Sequence, residues 1–205
     1  MTKAELLTQY KERYVSLQKL ACKMEQYLID IVKDYPRIDR VSARAKSPDS
    51  YLKKALKTKD DGELKYDEPI HQIQDQLGAR IITYYVCDIK PICELVEDYF
   101  GPIESKKIQP ESHDKFGYEG QHYILIWPVD VFINHIPKKH IPTAFELQIK
   151  TLFQHSWSET NHDLGYKPEE ELDRDQLRKI AFTAAQAWGA DQILNELFME
   201  CSKAK

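Results

Sequence analysis

The chain has 205 residues, 42% hydrophobic and 30% charged, with a formal net charge of −4. Such a length and balance describe a globular protein of one ordinary domain, able to bury roughly 70% of its unfolded surface without staples. They exclude a global basic field for duplex nucleic acid, and no apolar run approaches the roughly 18 residues that a membrane span needs.

Basic residues cluster locally all the same. Arg37, Arg40, Arg44, Lys46, Lys53 and Lys54 fall close together, as do Lys106, Lys107 and Lys115. The four cysteines, Cys22, Cys87, Cys93 and Cys201, form no C-x-x-C pair and read as buried thiols of a reducing compartment. Met1 leads straight into a charged helix with no signal peptide, so the expected location is cytoplasmic, with no membrane association.

Thr2-Lys3-Ala4-Glu5 is a capping box. The helix it opens carries Leu6, Tyr10, Leu17, Met24, Leu28 and Ile31 on one stripe, for packing or a dimer seam, and Pro36 ends it. Ile38 to Arg44 reads as a strand. Ser47-Pro48 caps a helix running through Tyr51 to Lys57, and Thr58 to Asp67 is a polar loop. A short helix from Pro69 ends near Gly78, and Ala79 to Val86 is an apolar strand. Asp88 is placed to cap a helix that Gly101 stops. Residues 109–119 are a loop, 120–127 a strand and 128–142 a proline-punctuated connection. Thr143 to Lys150 is a strand, followed by a helix that Gly165 stops. A last helix runs from about Leu172 to Cys201, with Leu177, Ile180, Ala184, Trp188 and Leu197 on one side. Helices around four or five strands predict an α+β fold with a mixed sheet.

Two carboxylates about seventy residues apart stand in poor structural places. Asp75, at the end of a predicted helix, would meet the negative end of the macrodipole unless it is exposed or paired with Arg80. Glu146 sits inside a strand that alternates Phe145, Leu147 and Ile149 with Glu146, Gln148 and Lys150. A sheet face carrying acid, amide and amine is either solvated or lines a cleft. Ser42, Arg44 and Lys46 share parity on the first strand. Cations near two acids form plain ion pairs, or grip phosphates whose Mg²⁺ the acids hold, since Mg²⁺ takes one or two carboxylates plus substrate phosphates.

The chain has no Walker A sequence and no G-x-G-x-x-G, which excludes P-loop and Rossmann readings; side-chain cations and metal must hold any triphosphate. Tyr118, between Gly117 and Gly120, is either free to stack on a base or a turn tyrosine covering core. His122 lies on the same strand face, four residues on. His155 and His162 are seven apart and lack the spacing of a zinc pair, and His162-Asp163 alone does not make a metal phosphohydrolase.

These segments resemble the RelA/SpoT-type synthetase domain, and specifically a small stand-alone alarmone synthetase. The resemblance rests on ordered blocks: Arg44-Ala45-Lys46 with Ser50 and Lys53; Asp75-x-x-Gly78-x-Arg80; Gly117-Tyr118-x-x-x-His122; and Glu146-x-Gln148-x-Lys150-Thr151 with His155-x-Trp157 and His162-x-x-x-Tyr166-Lys167. It covers about residues 36–200. It implies a nucleotidyltransferase-like mixed sheet of about five strands, with a synthetase core over 36–168 and long terminal helices over 1–35 and 169–205.

The implied activity is transfer of the β,γ-pyrophosphate of ATP to the ribose 3′-hydroxyl of GDP or GTP. Asp75 and Glu146 would hold Mg²⁺ and form the catalytic pair, with Glu146 taking the proton. Arg44 would stack on adenine, and Lys46, Ser50, Lys53 and Arg80 would complete the donor site. Tyr118, His122, Gln148, Lys150 and His155 would form the acceptor site. The sequence departs from the family at Glu119 and Gly120, where arginine and serine are usual, and at Lys150, where arginine is usual. An acidic Glu119 beside a polyphosphate keeps two other acceptors open, the tRNA 3′ end and an adenosine nucleotide. A non-catalytic nucleotide-binding module is the third reading. With no hydrolase or regulatory segment recognisable, homo-oligomerisation and an antitoxin partner are further expectations.

Overall fold

The computed structural model describes residues 2–113, 115–131, 135–166 and 172–203. Among them are six α-helices: α1 (Lys3–Val32), α2 (Pro48–Ala55), α3 (Pro69–Gln72), α4 (Val86–Tyr99), α5 (Leu152–Tyr166) and α6 (Arg174–Lys203). The strands are β1 (Ile38–Ala45), β2 (Leu77–Thr83), β3 (Pro102–Ile108), β4 (Gly120–Ile126) and β5 (Ala144–Thr151). They form one mixed sheet in the order β1-β2-β5-β4-β3, with β2 and β5 parallel and the other neighbours antiparallel. This is the α+β architecture expected.

The period-two pattern of the strands divides the sheet into two faces. Ala79, Ile81, Tyr123, Leu125, Phe145, Leu147 and Ile149 join one buried cluster. Tyr10, Leu17, Leu20, Met24 and Leu28 of α1 are fully buried in it, as are Ile92 and Val96 of α4. Helix α1 is therefore a wall of the sheet's own core. Its capping box is formed, with Thr2 accepting from Glu5 N–H and Glu5 accepting from Thr2 N–H. The opposite parity brings two polar rows across the sheet. One runs Arg44, Gly78, Glu146, Ile124; the other runs Ser42, Arg80, Gln148, His122, Lys106.

Several sequence expectations need correction. The helix before β2 is not continuous: α3 stops at Gln72, and Gln74–Gln76 form a separate 3₁₀ turn. Asp75 has φ −89° and ψ 30° inside that turn, so the macrodipole argument does not apply to it. Asp88 does not cap α4, whose N-cap is Tyr85; it lies in the first turn and takes a two-pronged contact from Arg37. The strand β3 lies where no strand was expected. Of the expected α6 stripe, Ala184 is buried but Leu177, Trp188 and Leu197 are exposed, while Asp191 is buried beside Ala184. Cys22 and Cys201 are exposed and Cys87 and Cys93 half-buried, all as free thiols, so the buried-thiol reading fails. Lys167 lies outside the described residues. Among the described residues, no helix is long and apolar enough to cross a membrane.

Candidate active site

Asp75 is fixed from both sides. The Gln76 amide donates to the carbonyls of Ile70 (2.9 Å) and Ile73 (2.8 Å), which closes the turn. Lys46 N–H donates to the Gln76 carbonyl at 2.8 Å, tying the turn to the end of β1. The Asp75 carboxylate is thereby set among cations: Lys46 Nζ lies 3.0 Å and Lys54 Nζ 2.8 Å from its Oδ2. Its Oδ1 is buried with no hydrogen-bond partner among the described residues. Arg80 does not pair with Asp75.

Helix α2 presents Lys54 to Asp75, while Lys53 lies on the exposed side. The sequence reading names both lysines in one basic cluster and puts Lys53 in the donor set; the one that pairs with Asp75 is Lys54. Ser50 is engaged at the helix start, where its N–H and hydroxyl both meet the Ser47 hydroxyl, at 3.3 and 2.9 Å. It serves the cap.

Gly78, three residues after Asp75, stands opposite Glu146 in the parallel β2–β5 pair and opposite Arg44 across β1–β2. A Cβ there would meet nothing within 4 Å, so the sheet face is open between the Arg44 guanidinium strand and the Glu146 strand. That opening suits a flat or phosphorylated ligand lying across the sheet.

Glu146 is the better-defended acid. His122 Nδ1 lies 3.0 Å from its Oε1, and Tyr118 Oη lies 2.6 Å from His122 Nε2. His122 thus bridges Glu146 and the Tyr118 hydroxyl through its two ring nitrogens. Burial pushes the Glu146 carboxyl up. Hydrogen bonds from His122 and Gln148 and the charges of His122 and Lys46 outweigh it and hold the group below the usual carboxylate range. Lys46 thus acts on both Asp75 and Glu146.

Tyr118 is not a free ring. It packs edge-on to His122, its face lies 4.6 Å from Lys150 Nζ, and its hydroxyl lies so close to Gly120 that a Cβ there would come within 2.8 Å of it. A side chain at position 120 would push the Tyr118 hydroxyl aside. Burial above all pushes the Tyr118 hydroxyl well above its usual range. Lys150 is 3% exposed and donates to Ser158 at 3.2 Å. Burial first, then the Arg80 charge, pushes its ammonium down to about 8.

The helix α5 supplies partners that the sequence did not suggest. Glu159 pairs with Arg80 at 2.9 Å. His155 Nδ1 is buried and unpartnered among the described residues, and burial followed by the Arg80 charge pushes its pKa down. Gln148 Oε1 is likewise buried without a partner. His162 is exposed, and no cluster of three metal-ligating His, Cys, Asp or Glu side chains exists among the described residues.

Glu119 points elsewhere. It lines a small pocket with Gln154, Trp157, Trp188 and Asp191, between α5 and α6. Burial pushes its carboxyl up, and Lys107 partly offsets that.

Residues 43–171 match the sequence model described as "Region found in RelA / SpoT proteins". The chain is 25% identical over 204 residues to GTP pyrophosphokinase YjbM of Bacillus subtilis, covering 97% of this chain and 90% of that protein. Its fold is similar to the crystal structure of small alarmone synthetase 1 from Bacillus subtilis, with TM-score 0.76, 20% identity and coverage of 96% and 99% of the two chains. That synthetase bound to its product pppGpp gives TM-score 0.75, 22% identity and coverage of 94% and 97%. The family match spans well over half of the sequence and includes both Asp75 and Glu146, and the chain belongs to the RelA/SpoT family.

Proposed function

We propose that this protein is a pyrophosphokinase that transfers the β,γ-pyrophosphate of ATP to the ribose 3′-hydroxyl of GDP or GTP, forming (p)ppGpp. The observation that carries the reading is Asp75: a half-buried carboxylate with one buried oxygen unpartnered among the described residues and the other between two lysines, in the turn that leads into the strand paired with Glu146. The name of the YjbM relative and the pppGpp complex of the similar synthetase support the same chemistry.

The donor set fits Mg²⁺, because Asp75 Oδ1 offers unmatched lone pairs in a buried place and one or two carboxylates suffice beside substrate phosphates. Asp75 and Glu146 would hold the ion, which when bound neutralises charge on the phosphates and polarises the phosphorus centre.

The protein's own groups carry the rest. Lys46 and Lys54 take donor phosphates, with Arg44 on the adenine side of the Gly78 opening. Lys53 would serve only the outer rim. Arg80, held by Glu159, is positioned at the β2 centre beside Gln148. The 3′-oxygen attacks the β-phosphorus, the bond from that phosphorus to the α–β bridging oxygen breaks, and AMP leaves. The hydroxyl proton passes to Glu146, whose ionised form His122 maintains. Positioning and charge supply most of the acceleration in phosphoryl chemistry of this kind.

Tyr118, His122, Gln148, Lys150 and His155 make the acceptor side. Guanine nucleotides are the favoured acceptors because Glu119, the residue that argued for others, lines the α5–α6 pocket beside Asp191. A homo-oligomer is supported by the exposed apolar side chains Phe182, Ile193 and Leu197 of α6.

The test offers γ-labelled ATP with GDP, GTP, AMP, ADP and deacylated tRNA side by side and separates the products by thin-layer chromatography. Label on GDP and GTP is expected. Label on tRNA or adenosine nucleotides alone would refute the proposed acceptor.

A further inference from the structure

The 3₁₀ turn that holds Asp75 also forms a wall of a cavity of about 260 Å³ that shares no lining residue with the donor and acceptor sets above. Arg13, Gln76, His71, Lys138, Lys139 and Thr143 are among its lining residues.

Arg13 is only 5% exposed, yet its partners are neutral carbonyls: Nε donates to His140 at 3.1 Å and Nη1 to Ile70 at 2.8 Å. No carboxylate pairs with it among the described residues. A buried guanidinium without a counter-charge is an uncompensated ion. Lys138 and Lys139 add charge of the same sign at the mouth. The charges of Lys139 and Arg13 both reach the nearby His140, where Glu12 is the one opposing acid.

Gln76 supplies an independent observation. It is 2% exposed, and its Nε2 donates to two carbonyls, which fixes the orientation of the amide. Its Oε1 is then buried with no donor among the described residues, in a side chain that belongs to a residue of the cavity wall. Native proteins rarely leave such an atom unsatisfied without a water or ligand.

The cavity therefore offers three cations and one orphan acceptor. Its volume far exceeds the share of a single water and approaches the lower end of small-ligand sites, about 300 Å³. We propose that it binds a small phosphate ester bearing hydroxyl groups, of about pentose phosphate size, with the phosphate on Arg13, Lys138 and Lys139 and a hydroxyl donated to Gln76 Oε1. A phosphate dianion matches three cations better than a monocarboxylate does. A full nucleoside triphosphate exceeds the space. The site stands apart from the pyrophosphokinase reading and does not depend on it.

Isothermal titration of the full chain with ribose 5-phosphate at fixed low salt tests it. Ribose and methyl phosphate serve as controls, and the variants are Lys46→Gln in the active site and the double change Lys138→Gln, Lys139→Gln at the exposed mouth. The expected result is saturable one-site binding that Lys46→Gln leaves within about twofold and the double variant weakens about tenfold or more. Ribose should not bind, and methyl phosphate should bind more weakly than ribose 5-phosphate. Absence of saturable binding, or a loss in Lys46→Gln as large as in the double variant, would overturn the site. Equal affinity for methyl phosphate would overturn the role of Gln76.

Discussion

His122 Nδ1 stands 3.0 Å from Glu146 Oε1, and it is the foremost of the neighbours that hold this half-buried carboxyl below the usual carboxylate range. Without it, burial is opposed only by Gln148 and Lys46. His122→Ala should raise the Glu146 pKa, so the acid limb of kcat against pH moves to higher pH. His122→Gln, which keeps a donor, should shift it less. The pH–rate profile of the three proteins checks this.

Gly78 leaves the sheet open between Arg44 and Glu146. Gly78→Val would place its methyl groups where no protein atom stands. The expected outcome is a rise in KM for ATP of about tenfold or more, with stability changed by no more than about 0.5 kcal/mol. Steady-state kinetics together with a thermal melt separate the two effects.

Lys150 carries a pKa lowered to about 8, first by burial and then by the Arg80 charge. Its ammonium is therefore lost above about pH 8, and the KM for the acceptor should rise there. Lys150→Arg keeps its charge and should give a flat profile up to about pH 10. For stability the sign runs the other way. The folded pKa lies below the unfolded one, so the wild type gains stability as pH rises from about 8 to its unfolded value of about 10.4.

Asp191 accepts from the Thr151 hydroxyl at 2.6 Å, and the same hydroxyl accepts the Gln154 N–H that starts α5. The Asp191 carboxyl is raised to about 6, the net of burial, which raises it most, the Thr151 hydrogen bond, which lowers it, and Glu119, which raises it. A folded pKa above the unfolded value costs stability as pH rises from about 4 through 6. Asp191→Asn keeps an acceptor for Thr151 and removes the charge. It should be more stable than wild type by about 1–3 kcal/mol at pH 8, and no more stable at pH 4. Urea titrations at the two pH values check this.

Strand parity made one half of the site legible. Alternation alone put Glu146, Gln148 and Lys150 on one face, and the four-residue step from Tyr118 to His122 put those two side chains within 2.6 Å. Other features depend on tertiary packing. Lys53 and Lys54 are chemically equal neighbours, and only the docking of α2 against the Asp75 turn selects Lys54. The break between α3 and the 3₁₀ turn reflects Gln76, whose side chain takes the Ile70 and Ile73 carbonyls away from a continuing helix. Strand β3 escaped notice because it is an exposed edge strand, with Glu104, Lys106 and Lys107 and no buried alternation. Glu159 was missed because its partner Arg80 lies in another element, nearly eighty residues away.

The most direct test uses ATP labelled separately at the β and γ positions, with GDP as acceptor and Mg²⁺ present, on wild type, Asp75→Asn and Glu146→Gln. The account predicts that both labels enter the same product in equal amounts, that AMP forms in step with it, and that both variants lose about 10²-fold or more of the rate. Transfer of the γ label alone with ADP as co-product, or variants as active as wild type, would contradict it.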